Sequence, residues 1–165
     1  MKKEQGFSLI ELLIVVAIIA IIAAIAVPSM LTSRMAANEA GAVQSLRTFG
    51  SAQVAYAAVN NQQFGKIADL TTGGYLDQRW DGGTFSGYKY TEEAKITNCA
   101  TNADAALPNG FGATAEPSTA GSTGRYAYGI ASDQVVRYMQ ISGSALPDGI
   151  SAGDPIGTQS GGGKD

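Results

Sequence analysis

Residues 6–28 read GFSLIELLIVVAIIAIIAAIAVP, a long and almost uninterrupted apolar segment. Every residue from 7 to 27 is apolar except Ser8 and Glu11. As an α-helix, these 21 residues span about 32 Å, enough to cross a hydrocarbon core of roughly 30 Å. Two lysines among the first six residues predict a cytoplasmic N-terminus. We therefore expect the chain that follows the segment to lie outside the cytoplasm.

Two ordinary interpretations of this segment are a cleaved secretory signal and a simple membrane anchor. Residues 24–26, Ala-Ile-Ala, resemble a small-x-small cleavage site, but the apolar run from Leu12 to Val27 has 16 residues, slightly more than a usual signal. A simple anchor leaves Glu11 unexplained, because a carboxylate at mid-membrane costs roughly 2.5–3.5 kcal/mol even on lenient scales. Glu11 therefore indicates a function in which its charge has a partner.

The octapeptide at residues 6–13, GFSLIELL, suggests that function. It resembles the cleavage site of type IV pilins and type II secretion pseudopilins. The resemblance implies that a prepilin peptidase cuts between Gly6 and Phe7 and then methylates the Phe7 amine. It also implies that Glu11 is the acidic residue of the motif and takes part in assembly.

Two further positions can be compared with the pattern of this family. Pro28 falls where the family usually has its helix-kinking proline. Ala20 stands where many members have a glycine, so we expect residues 20–28 to keep their helix more readily inside a filament. The resemblance is close over residues 6–31 and is one of pattern beyond them.

The chemistry of the cut junction fits a polymer independently of the resemblance. Cleavage before Phe7 exposes an α-amine at one end of an apolar helix, and Glu11 lies one turn further on. In a staggered bundle, the carboxylate of one subunit can meet the amine of its neighbour, which relieves the desolvation that each charge suffers alone. We therefore expect Glu11 to govern the register of subunits more than their affinity.

The helix is predicted to continue to Val59 with a change of character. Apolar side chains recur at spacings of three, four and seven, which predicts one face packed on a sheet. These are Leu31, Met35, Ala42, Leu46, Phe49 and Tyr56. Polar residues are predicted to take the other faces: Arg34, Glu39, Gln44, Arg47 and Ser51. Asn60 and Asn61 give a plausible stop.

The connector after the helix predicts a short second helix over residues 66–72, ended by Gly73 and Gly74. Tyr75 and Leu76 are expected to return toward the core. Two carboxylates, at positions 77 and 81, flank a tryptophan. Such a pair can bind calcium or act as acid and base, but with no histidine and no Gly-x-Asp repeat a solvated loop is the expected structure.

Alternating residues predict strands at 87–91, 126–130 and 135–141, with a hairpin turn at 132–134 between the last two. Residues 92–124 are rich in Ala, Thr, Asn, Gly and Pro, which predicts a long surface loop. Strands after a long helix, without further alternation, predict an α+β fold. In it, a long N-terminal helix, half membrane-embedded and half amphipathic, packs on a small antiparallel sheet, as in type IV pilins.

The predicted organisation has four parts. Residues 1–6 form a leader peptide, residues 7–27 a transmembrane and polymerisation helix, residues 28–141 a head domain, and residues 142–165 a Gly/Ser-rich, mobile tail. Many type IV pilins close a C-terminal loop with a disulfide, but Cys99 is the single cysteine, so that feature cannot be carried over. We expect Cys99 to be a small buried filler.

Composition excludes several classes of function. The chain has no histidine, which removes the commonest general base and metal ligand, and no nucleophile motif is visible. We therefore expect no enzyme, no cofactor and no metal site. A net charge of −3 with scattered lysines and arginines argues against direct nucleic-acid binding.

The resulting expectation is the structural subunit of a type IV pilus, which serves adhesion, twitching motility, surface sensing or DNA uptake. Its implied partners are other copies of itself, the prepilin peptidase and the inner-membrane pilus assembly machinery. The precursor is expected in the inner membrane and the mature protein in an extracellular fibre. A type II secretion pseudopilin is the alternative, although the tail lacks a compact acidic calcium cluster. A secreted enzyme or adhesin behind an ordinary signal peptide is the more distant one.

Overall fold

The computed structural model describes residues 7–92, 110–140 and 154–156. Its architecture is α+β, with a long N-terminal helix followed by an antiparallel sheet, as the sequence predicts. The chain divides into two compact units, Met1–Arg34 and Met35–Asp165. Each unit is described separately below.

Helix α1 spans Leu9–Val59, and its first part makes up the first unit. Helical structure continues through Pro28, which lacks the N–H that an interior helical residue normally donates. In the next turn, the hydroxyls of Thr32 and Ser33 both donate to the carbonyl of Ser29, at 2.9 and 3.0 Å. All described residues of this unit are exposed, including Leu31, which was wrongly assigned to the packed stripe.

Among the described residues of the second unit, six strands form one sheet in which sequential strands are antiparallel neighbours. The strands are β1 (Thr84–Phe85), β2 (Tyr88–Glu92), β3 (Gly112–Pro117), β4 (Tyr126–Ala131), β5 (Val136–Gln140) and β6 (Asp154–Pro155). Each hairpin therefore joins strands that are adjacent in sequence. A meander of this kind needs no crossover connection.

One face of the sheet packs on the second half of α1. The helix contributes buried side chains at the predicted spacing, and the sheet contributes three tyrosines together with alanine, isoleucine and valine side chains. Ala115 on β3 lies opposite Tyr90 on β2 and Tyr128 on β4. Because Ala115 is small, the two large tyrosine rings on either side of it can pack against the helix in the same core. The helical members are Ala42, Leu46, Phe49 and Ala52.

Two short helices follow α1. Helix α2 spans Ile67–Thr72 and ends at Gly73, as predicted. The chain then returns to the core, where Leu76 is buried and Tyr75 packs against the cluster. A 3-10 helix, Gln78–Trp80, places the tryptophan in the core with 2% of its surface exposed.

The prediction of a continuous loop over residues 92–124 was wrong. Strand β3 lies inside it, and its first four residues are buried. The strand escaped prediction because it is built from Gly, Ala and Thr, which lack the β-branched and aromatic pattern of a typical strand. Residues 93–109 lie outside the described residues, so the prediction that Cys99 is buried stays a prediction.

The sheet also takes in part of the segment that we predict to be a tail. Strand β6 pairs with β5, where Arg137 faces Pro155 and Tyr138 faces Asp154. Next to it, the Ile156 amide donates to the Val136 carbonyl at 3.0 Å. The remainder of residues 142–165 lies outside the described residues.

Buried polar side chains of α1 form hydrogen bonds with two of the connecting loops. Gln53, 1% exposed, donates to the Gly65 carbonyl at 2.7 Å and accepts from the Gly65 amide at 3.1 Å. Glu39 accepts from the Arg125 backbone amide at 2.8 Å and pairs with its guanidinium at 3.3 Å. Glu39 was predicted to lie on a face other than the packed one, yet it is buried, because its carboxylate holds the connection before β4.

Two buried phenols predict how the second unit responds to alkali. Burial is the main cause that raises the pKa of Tyr88 and of Tyr128 well above the ordinary value, and the nearby Glu39 carboxylate raises both further. In the unfolded chain a tyrosine ionises near pH 10. Above that pH the unfolded state therefore binds fewer protons than the folded state, so stability falls as pH rises.

We expect unfolding above about pH 10, with stability falling by up to about 1.4 kcal/mol per pH unit for each buried phenol. Tyrosinate absorbance and far-ultraviolet circular dichroism should change together during an alkaline titration. Ionisation of every tyrosine near its ordinary pKa, with the circular dichroism unchanged, would contradict the burial of Tyr88 and Tyr128.

The distribution of exposed apolar surface predicts a soluble fragment. Of nineteen exposed large hydrophobic side chains among the described residues, fourteen lie in residues 7–27. A chain beginning at Pro28 removes those fourteen and keeps the part of α1 that packs on the sheet. We expect it to be a soluble monomer, measured by sedimentation and gel filtration. Recovery of this fragment in the membrane fraction would show that the boundary between anchor and head is misplaced.

Candidate processing and assembly site

The helix begins two residues after the predicted cut. Phe7 and Ser8 are outside the helix, and Leu9 is its first residue. The Ser8 carbonyl accepts from the Leu12 amide at 3.3 Å, and the Ser8 amide donates to Oε2 of Glu11 at 2.9 Å. Ser8 is thus the N-cap and Glu11 the third helical residue, the spacing of a capping box.

This cap could have been found from the sequence. Ser-x-x-Glu before an apolar run is a known signature of a helix N-terminus, and residues 8–11 carry it. In the sequence, Ser8 stands out only as a polar exception in an apolar segment, and a capping role was not predicted for it. The carboxylate therefore has a partner in its own chain, in addition to any partner in another subunit.

The surface that follows the cap is strongly apolar. Phe7 is 78% exposed, and the described residues that follow it up to Arg34 are all exposed. Within the part of the chain that the structure describes, α1 is the one helix long and apolar enough to cross a membrane, and its most apolar window has no buried residue. A surface of this size in water would drive association or membrane insertion.

The structure describes three of the predicted site residues but not the fourth. Phe7 and Glu11 lie at the start of α1, and Pro28 lies inside it. Gly6 lies outside the described residues. The cleavage, the methylation and the pairing with a neighbouring subunit concern other molecules, so these roles stay predictions.

The carboxylates near Trp80 serve local structure. Asp77 accepts from the Arg79 amide at 3.1 Å and pairs with the Arg79 guanidinium at 2.8 Å. Asp81 accepts from the Thr71 hydroxyl at 2.8 Å. Across the described ranges, no group of three or more His, Cys, Asp or Glu residues is placed to hold a metal ion.

A pocket of about 190 Å³ opens in the second unit, lined by Phe49, Phe64 and Phe111 with Lys66 and Glu92. It is smaller than the roughly 300–1,000 Å³ typical of small-molecule sites. One oxygen of Glu92 already accepts from the Ile67 amide at 2.7 Å. The pocket is therefore a weaker candidate site than the N-terminal segment.

Comparison with known proteins adds one finding. Residues 1–27 match the family model described as the prokaryotic N-terminal methylation motif, which is the prepilin-type motif of type IV pilins and pseudopilins. No curated protein and no solved structure matched the chain. The match covers 27 of the 165 residues and supports a type IV pilin or pseudopilin.

Proposed function

We propose that this chain, which carries the prepilin-type motif at residues 1–27, is the precursor of a structural subunit of a type IV pilus. The observation that carries the proposal is the junction of that motif with the exposed, apolar first part of helix α1. The motif supplies the processing signal, and the helix supplies a surface that needs a membrane or other subunits to cover it. The second unit, with its helix-on-sheet core, is the head that the fibre displays.

Processing in this proposal begins with prepilin peptidase. The enzyme cuts between Gly6 and Phe7 and methylates the new Phe7 amine. The inner-membrane assembly machinery then moves the subunit from the membrane into a homopolymeric fibre on the cell surface. Such a fibre serves adhesion, motility or DNA uptake.

A type II secretion pseudopilin uses the same motif, so residues 1–27 support it equally. The two candidates differ in where the fibre is found and what depends on it. Deletion of the gene should abolish sheared surface fibres if the chain is a pilin. It should abolish secretion of exported proteins, with surface pili intact, if the chain is a pseudopilin.

The N-terminus of the mature protein tests the proposal directly. We expect protein sheared from cells to begin at Phe7 and to carry one added methyl group, as measured by intact mass and N-terminal sequencing. Replacing Gly6 with a bulky residue such as Leu should leave full-length precursor in the inner membrane, because the peptidase no longer accepts the junction. A mature N-terminus at Val27 would instead identify an ordinary signal peptide.

A further inference from the structure

The pocket in the second unit has the size and the charges of a small ligand site. Its volume of about 190 Å³ is below that of drug-sized sites, but an apolar cavity of about 150 Å³ already accepts a benzene ring. Its walls combine three phenylalanine rings with one positive and one negative side chain, Lys66 and Glu92. We propose that it binds a zwitterionic aromatic amino acid, with the ring against the phenylalanines and its charges on Lys66 and Glu92. The inference goes beyond the proposed function and does not depend on it.

The apolar wall of the pocket offers a surface on which a ring can pack. Phe111 is 5% exposed and meets the half-buried Phe64 edge-on, with the ring centroids 4.9 Å apart. Phe111 also meets the buried Phe49 edge-on at 5.9 Å. Because these contacts already fix the rings, a ligand ring that packs against them has to order little of the protein.

The charged side chains of the pocket have bonding capacity left for a ligand. Oε2 of Glu92 accepts from the Ile67 amide at 2.7 Å, which orients the carboxylate. In the part of the chain that the structure describes, no hydrogen bond is found on its other oxygen, Oε1, and no ion pair on the Lys66 ammonium. Oε1 can therefore accept from the ammonium of an amino acid, and Lys66 can donate to its carboxylate.

The third polar side chain of the pocket, Gln53, is already used within the protein. Its carboxamide oxygen accepts from the Gly65 amide, and its nitrogen donates to the Gly65 carbonyl. Gln53 therefore shapes the wall, and recognition of the ligand's charges is left to Lys66 and Glu92. A ligand with a ring and both charges should bind better than one that lacks any of the three.

The experiment uses the full chain in detergent micelles, with an isotope label that makes its backbone amides visible by nuclear magnetic resonance. The amides of Gly65, Gly110 and Gly112, which line the pocket, are followed as L-phenylalanine is added. A ligand of this size gains little binding free energy, so we expect a dissociation constant on the order of 1 mM.

Three related ligands separate the ring from the charges. L-alanine keeps both charges and lacks the ring, so we expect no saturable movement of the three glycine amides. Phenethylamine keeps the ring and the ammonium, and hydrocinnamate keeps the ring and the carboxylate. Each should bind about two- to fivefold more weakly than L-phenylalanine, the effect of losing one exposed charge pair.

Matched variants assign the charges to their side chains. Lys66→Met and Glu92→Gln should each weaken L-phenylalanine binding by about two- to fivefold, and the glutamine keeps an oxygen for the Ile67 amide. Lys89→Met and Glu116→Gln are the controls, because these two residues face each other across β2 and β3 and do not line the pocket. Both controls should keep the wild-type affinity.

The outcomes test the site without reference to fibres. Saturable movement of the glycine amides with L-phenylalanine, reduced in the two pocket variants alone, supports the inference. Absence of movement, or equal movement with L-alanine, overturns it. Equal weakening by Lys66→Met and Lys89→Met overturns it as well, since the effect would then be one of overall charge. Because fibre formation is measured in none of these arms, failure of the site leaves the proposed pilus function untouched.

Discussion

Cells whose only copy of this protein is the Glu11→Ala variant should make at least about tenfold fewer fibres, which corresponds to roughly 1.4 kcal/mol per subunit addition. In the proposed fibre, this variant removes the charge partner of the neighbouring subunit's Phe7 amine, so the stagger would no longer be specified. Membrane insertion should not suffer, because removing a carboxylate from an apolar helix eases insertion by up to roughly 2.5–3.5 kcal/mol. Fibre counts by electron microscopy and the yield of mature protein give the two readouts.

Glu116→Ala is the matched control, because it makes the same chemical change on β3, far along the chain from the motif. It should leave fibre number unchanged. The thermal stability of the second unit should be unaffected by Glu11→Ala, since Glu11 belongs to the first unit. Normal fibre numbers with Glu11→Ala as the sole subunit would show that apolar packing alone sets the stagger.

The sequence predicted the helices best, because their length and their ends depend on local composition. The apolar run at residues 7–27 is long enough to cross a membrane, and this can be counted in the sequence without knowing any tertiary contact. The end of α1 at Val59 and of α2 at Thr72 followed from local turn chemistry at Asn60 and Gly73. Strands β4 and β5 followed from alternation, with Gln134 at positive φ in the turn between them.

The failures share a physical cause, which is that tertiary contacts override local composition. In strand β3, Ala115 fits between Tyr90 and Tyr128 of the neighbouring strands, and that fit cannot be seen in the sequence of the strand alone. Glu39 and Gln53 look like ordinary polar helix residues, yet both are buried because distant loops supply their hydrogen-bond partners. Predicting such pairs requires knowing which loop returns to which turn of the helix.

The second large effect that we predict is the loss of stability when a core side chain of the second unit is removed. The ring of Phe49 on α1 is 1% exposed, stacks on Trp80 at 5.6 Å and meets Phe111 edge-on at 5.9 Å. It joins the helix, the 3-10 turn and the segment entering β3. In the soluble chain that begins at Pro28, Phe49→Ala should lower the free energy of unfolding by about 3–5 kcal/mol, through lost burial and the cavity left behind.

Trp80 is the single tryptophan and lies against this ring, so its fluorescence during urea unfolding measures the effect at the site. Val54→Ala is the matched control, because Val54 lies on the same helix but is 51% exposed; it should change stability by no more than about 0.5 kcal/mol. If both variants lost the same small amount, the second half of α1 would not be part of the core, and the packing of this helix on the sheet would have to be abandoned. A loss confined to Phe49→Ala would instead show that this aromatic contact holds the helix against the 3-10 turn and the segment entering β3.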